Sequence, residues 1–268
     1  MTKIIKVEEK DSAFNYGDMH GEGFDGITSA DLALPFIKLL QMQTPELKGL
    51  KEAEAGDFYN TITKEVTPGS LGIVAVPVYY EEIWVEWKPQ NGGIVASHDP
   101  HSTIVQDVIR NNGGSVIPPK DVNGKTVQLM HGKNDIVQTF YLYVIILNDD
   151  GTEVNSFALI PCTATKIKSY RGLLTSMFML KGKPPIFANR FRLKSVEQLG
   201  NGQSFFNFSI SSLRETWLAS LIDPINEAHI IKEAQVFRKR ILDKEVLIDY
   251  DDKEHQIQSG VSEDDVPF

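Results

Sequence analysis

The chain has 268 residues, 41% hydrophobic and 24% charged, which is enough to bury a sizeable core as one large domain or two small ones. Its single cysteine, Cys162, excludes an intrachain disulfide framework and a cysteine-based zinc site and fits a reducing cytoplasm. The formal net charge of −9 excludes a uniformly basic nucleic-acid binder, no stretch approaches the roughly 20 apolar residues that span a bilayer, and Met1 to Asp11 lacks the apolar run of a signal peptide.

Residues 1–30 are Gly-rich and acidic and read as a flexible N-terminal segment. Gly21-Glu22-Gly23-Phe24-Asp25-Gly26 fits the dinucleotide fingerprint in letters only. No strand precedes it, and Glu22 and Asp25 would repel a pyrophosphate. Ser29 is placed to cap a short helix that Pro35 stops. Leu71 to Trp87 is rich in Val, Ile and aromatics and reads as strand, with Pro77 at an edge or bulge. Ser102 to Asn112 has a capping Ser, paired apolar positions and Gly113 as a stop, which predicts one short helix. Residues 113–135 read as a long loop.

Ile136 to Leu147 alternates Thr139, Tyr141 and Tyr143 with Phe140, Leu142 and Val144. Asn148-Asp149-Asp150-Gly151 is a hairpin turn signal, and Val154 to Pro161 returns. Thr165 to Leu180 carries Ile167, Tyr170, Leu173, Leu174 and Met177 at helical spacing. Ile186 to Leu199 and Ser204 to Ile210 form a second strand pair about Gly200-Asn201-Gly202. Helices are expected at Ser211 to Leu221 and, capped by Asp223, at Pro224 to Lys244. The folded domain is placed at 31–245 and an acidic, disordered tail at 246–268.

Charge is unevenly distributed. Residues 160–214 hold nine basic residues against Glu197, a local +8; residues 249–268 hold seven acids against Lys253, a local −6. Local charge decides whether a polyanion binds. In Arg190-Phe191-Arg192-Leu193-Lys194, strand alternation puts three cations on one face about 7 Å apart, a spacing suited to a phosphodiester backbone. Lys166, Lys168 and Arg171 flank Tyr170 on the middle helix, with Lys181 and Lys183 beyond it. Tyr141, Tyr143, Trp84, Trp87 and Phe205 are the rings best placed to stack on bases; Phe206 and Phe208 read as core. These side chains form the candidate DNA-binding set.

Catalytic signals are weak, and no enzyme activity is expected. There is no phosphate-binding Gly-Lys-Ser/Thr loop and no Gly-x-Ser-x-Gly elbow. His98-Asp99-Pro100-His101 is the one metal-like cluster, but no third ligand stands at a suggestive spacing, so no metal or cofactor is expected. Cys162 reads as a small buried side chain.

The chain ends Glu263-Asp264-Asp265-Val266-Pro267-Phe268. This tip resembles the acidic Asp-Asp-x-Pro-Phe ending of bacterial single-stranded DNA-binding proteins, where the tip docks replication and repair enzymes. The resemblance makes Asp264, Asp265, Val266, Pro267 and Phe268 the partner-binding residues. In layout the chain is similar to phage-encoded single-stranded DNA-binding proteins, although it is longer than the bacterial type and lacks the Gly/Gln/Pro-rich linker. The resemblance implies an α+β domain on an OB-like β-barrel, a role in coating single-stranded DNA, and a host-cytoplasmic location, with a monomer or a homodimer as the oligomeric state. A strand-annealing recombination protein and a viral assembly protein are the alternatives.

Overall fold

The computed structural model describes residues 33–89, 93–122, 124, 126–200 and 203–248. Its elements in chain order are β1 (Ala33–Leu34), β2 (Ile37–Leu39), β3 (Phe58–Asn60), β4 (Val66–Thr67), β5 (Ile73–Trp87), β6 (Ile94–His98), α1 (Thr103–Asn111), β7 (Met130–His131), β8 (Asn134–Leu147), β9 (Val154–Cys162), α2 (Lys166–Phe178), β10 (Phe191–Gly200), β11 (Gln203–Ser212), α3 (Ala228–Leu242) and β12 (Leu247–Ile248). Among the described residues, seven strands form one sheet in the order β11-β10-β5-β8-β7, with β6 also on β5 and β9 also on β8.

Two long antiparallel strands, β5 and β8, organise this sheet, paired from Val74 opposite Leu147 to Trp87 opposite Asp135. Each serves different neighbours along its other edge. β10 pairs with Ile73 to Ala75 of β5, and β6 with Trp84 to Trp87. β9 pairs with Phe140 to Leu147 of β8, and β7 with Asn134 and Asp135. Pro77 has no N–H to give a ladder, and it falls in the part of β5 between those two partners, where the register shifts.

Side-chain alternation sends the two faces of this ribbon into separate cores. Ile73, Ala75, Phe140, Leu142, Val144 and Phe191 meet Tyr170, Leu173 and Met177 of α2. Val74, Val76, Tyr141, Tyr143 and Ile145 meet Ile230, Ala234 and Phe237 of α3. Cover on both faces is the physical reason for the nearly unbroken apolar run in β8. A smaller core joins Val105 and Val108 of α1 to Trp84, Leu129 and Ile136.

The expected OB-like barrel does not close. Among the described residues the ladder stays open between β9 and β11, because both edges are already satisfied. The Gln41 amide acts as a surrogate strand for β11: Phe206 N–H donates to its Oε1 and its Nε2 donates to Phe206 C=O, both at 2.9 Å. Ser169 Oγ donates to Phe208 C=O at 2.9 Å. On the other side Leu159 N–H donates to Pro35 C=O at 2.9 Å. Occupied edges of this kind cannot recruit one another.

Several expected elements appear: α1 with Ser102 Oγ accepting from Val105 N–H, the Asn148–Gly151 turn, α2, and the β10–β11 hairpin. Others differ. No helix forms at 211–221: β11 continues to Ser212 opposite Phe191, and the residues after it are turns tied by Ser220 Oγ, which accepts from Arg214 N–H and donates to Thr216 C=O. The helix expected from Pro224 starts at Ala228, because Asp223 Oδ1 accepts from Ile225 and Asn226 N–H and folds that stretch into a turn. Those bonds hold the Asp223 carboxyl below its ordinary range. Residues 186–188 are a 3-10 turn, so β10 begins at Phe191. Ala33–Leu34, expected in a helix, pairs in parallel with Leu247–Ile248, which carries regular structure to Ile248. Ser29, residues 1–30 as a segment, and the tail beyond Ile248 lie outside the described residues.

Candidate nucleic-acid interface

α2 buries one stripe, Tyr170, Leu173 and Met177, against the sheet. Lys168, Arg171, Thr175 and Phe178 follow at helical spacing on the opposite, exposed side. The helix contains three cations and no acid. The Arg171 guanidinium lies 5.7 Å from the centroid of the Phe140 ring, which stacks on Tyr170 at 4.9 Å. Just past the helix, Lys183 Nζ sits 4.7 Å over the ring of Phe178, which is 63% exposed.

Beside this face runs a groove of about 760 Å³, walled by α2, β8, the β10–β11 hairpin and the segment following α1. Lys168 and Arg171 line it together with Gln128, Gln138, Gln198, Asn207, Thr165 and Ser169; Val116, Ile117, Pro118, Leu129 and Ile167 supply its apolar surface. No carboxylate is among the described lining residues. Glu82, bonded to the lining residue Gln138, accepts from Gln138 Nε2 at 2.8 Å and from Trp84 Nε1 at 3.1 Å. Gln198 and Asn207 are tied to each other at 3.1 Å. Groups held this way present fixed donors and acceptors beside the exposed cations.

The fold separates the sequence-selected residues into two groups. Lys168, Arg171, Lys181, Lys183 and Lys194 are exposed. Arg190 is not: it is 4% exposed, and its guanidinium donates to Glu227 Oε1 at 2.6 Å and to the carbonyls of Gly151, Ser220 and Leu221. Buried, and bonded to one carboxylate and three carbonyls, it braces the fold and is not presented to a phosphate. Arg192 donates to the carbonyls of Leu71 and Asp149. The uniform cationic face expected along 190–194 is therefore reduced to Lys194. Lys166 folds inward, its Nζ 5.1 Å over the Phe208 ring, and burial lowers its pKa.

The rings expected as stacking platforms are mostly core. Trp84 is fully buried under α1, Tyr141 and Tyr143 lie under α3, Tyr170 is buried beneath α2, and Phe205 is buried in β11. Trp87 is partly buried against the α3 core. The Thr139, Tyr141, Tyr143 alternation resembles a solvated face only while α3 is out of view. Burial pushes the Tyr170 phenol well above its usual range and the Cys162 thiol up to about 12. The exposed rings in this region are instead Phe178 and Tyr80, the latter 50% exposed and 6.5 Å from Tyr170. Tyr80 belongs to the aromatic run of the first long strand that the sequence offers for stacking, whereas nothing short-range marks Gln138, Gln198 or Asn207, which come from separate segments.

The model of the Pam3 phage gp34-like protein family matches residues 6–246. The chain belongs to this family. It is thus a phage protein of the gp34-like kind, and no curated protein and no solved structure matches it. In this family member, no helix among the described residues is long and apolar enough to cross a membrane. The terminal Asp264, Asp265, Val266, Pro267 and Phe268 lie outside the described residues.

Proposed function

We propose that this phage protein binds single-stranded DNA along the α2 groove, coats it during phage replication or recombination, and meets partner proteins through its acidic C-terminal tip. The observation that carries this reading is the pairing of an exposed helix face whose charged residues are all cations with an adjoining groove whose described lining residues include no carboxylate. A single strand needs a track of positive charge for its phosphates and a surface for its bases. Lys168 and Arg171 start that track, and Lys181 and Lys183 extend it past the helix end. Bases entering the groove meet apolar side chains and amide groups, and the exposed rings Phe178 and Tyr80 offer stacking surface. An amide-lined groove in a protein with a net charge of −9 confines polyanion binding to one place. The −6 tail supplies a competing polyanion, so DNA and tail exclude one another, and by reciprocity DNA frees the tip for partners.

The test is fluorescence anisotropy of a labelled oligo-dT titrated with the full chain at several salt concentrations. The double variant Lys168→Glu/Arg171→Glu should bind more weakly, and its salt slope should fall by about 1.4, at about 0.7 per lost phosphate contact. Cutting the chain after Tyr250 should tighten binding at low salt. Absence of salt-dependent binding by the intact chain, or a double variant that binds like the parent, would sink the proposal. Sizing of the complex separates a coating protein from an annealing one, which would assemble into rings or filaments.

A further inference from the structure

We propose that Glu86, His98 and His131 form a binding site for one divalent transition-metal ion of the zinc type. The three side chains come from three strands, β5, β6 and β7, and their donor atoms all lie within 4.8 Å of one another. Glu86 Oε2 is 2.7 Å from His98 Nε2 and 3.2 Å from His131 Nδ1. Four-coordinate zinc with bonds of 2.0–2.1 Å holds its ligand atoms about 3.3 Å apart. The cluster is thus within side-chain adjustment of a metal-binding arrangement.

The second observation is an unfilled nitrogen. His131 Nδ1 is buried and makes no hydrogen bond, although it sits beside the Glu86 carboxylate. A lone pair facing a carboxylate is repulsive, and an N–H in that position should donate to it. A cation between the two groups removes both difficulties and uses the His98 nitrogen as well. The surroundings suit a ligand carboxylate: Asn134 Nδ2 donates to the second oxygen, Glu86 Oε1, at 2.5 Å and fixes its orientation. Access is also provided, since His131 is 43% exposed at its side chain while Glu86 and His98 are 6% and 12% exposed. Three protein ligands leave a fourth position for water.

The site explains why the sequence hides it. In the chain His98 stands beside His101, but a strand delivers its partners by pairing. Trp84 lies opposite His98 across the β5–β6 ladder, which sets Glu86 one pleat along on the same face. His131 arrives from the tight β7–β8 hairpin, where it pairs with Asn134. His101 is exposed and outside the cluster. The proposal is independent of DNA binding.

The full chain, stripped with chelator and desalted, is titrated with Co²⁺ and Zn²⁺ by visible absorption, calorimetry and native mass spectrometry. One equivalent should bind with the d–d spectrum of a four- or five-coordinate site, and the melting temperature should rise with added Zn²⁺. His131→Asn, at a partly exposed position, and the isosteric Glu86→Gln should each weaken binding at least tenfold while circular dichroism stays that of the parent. His101→Asn should leave it unchanged. No uptake by the parent chain overturns the proposal. So does undiminished binding in folded His131→Asn and Glu86→Gln, which would place the metal elsewhere.

Discussion

Arg190 and Arg171 stand nineteen residues apart in one strongly basic segment, and the fold treats them in opposite ways. Arg190 is enclosed by Glu227 and three backbone carbonyls from the β8–β9 turn and the segment before α3. Arg171 extends from an exposed helix face, lies over the Phe140 ring, and has no ion-pair partner among the described residues. Saturated hydrogen-bonding capacity makes a charge part of the architecture; unsaturated capacity leaves it available to a ligand. A charge count along the sequence adds both kinds together, and so overstates the cationic surface.

This contrast is broken most directly at Arg190. Arg190→Met should cost about 3–5 kcal/mol in urea denaturation, because it leaves Glu227 and three carbonyls without their partner. The folded fraction should keep its affinity for oligo-dT. A small stability loss accompanied by a large affinity loss would place Arg190 in the ligand's path. The opposite result is expected for Lys168→Glu/Arg171→Glu, which should change stability by no more than about 0.5 kcal/mol per site while weakening binding.

Backbone closeness provides an intermediate effect on the same side of the sheet. Gly69 accepts from Ser195 N–H and donates to Asp57 Oδ1 at 2.9 Å. A Cβ there would overlap the Gly56 carbonyl and Ser195 Oγ. Gly69→Ala should therefore destabilise by about 1–3 kcal/mol, the range of an overpacked site, in the same denaturation assay.

Cys162 gives a smaller, pH-dependent effect. Burial holds its thiol neutral up to about 12, against an ordinary 9.0. Between those values the unfolded chain loses the proton and the folded one keeps it, so stability falls as pH rises. The loss should reach about 1.4 kcal/mol at pH 10, one unit above the ordinary value. Cys162→Ala should flatten that slope in denaturation curves between pH 8 and 10, a residual slope of the same sign coming from the buried Tyr170 phenol. A thiol reagent that labels native Cys162 rapidly at pH 8 would contradict the enclosure on which this rests.

How much was legible follows from the range of the interactions. Helix α1 and its Ser102 cap, the Asn148–Gly151 turn, the α2 stripe and the β10–β11 hairpin all depend on residues a few positions apart, and the sequence located them. The helix expected at 211–221 failed because a distant partner, Phe191, held Ser212 in the ladder. Tyr141 and Tyr143 were misplaced because α3, some ninety residues later, covers their face. The barrel failed for a similar reason: Gln41 and Ser169 occupy the β11 edge that closure requires. The Glu86, His98 and His131 constellation had no local signal at all, its members being brought together by strand pairing.

The sequence by itself determined the strand-rich character, the concentration of positive charge between 160 and 214, and the acidity of the tail. Those properties belong to composition and to periods of two or three to four residues. Only the tertiary structure decided which cations are enclosed and which are free, that the sheet stays open, and that a carboxylate and two imidazoles converge. Each of those outcomes depends on which distant group reaches a hydrogen-bonding site first, and contact between segments far apart in the chain is what folding adds to the sequence.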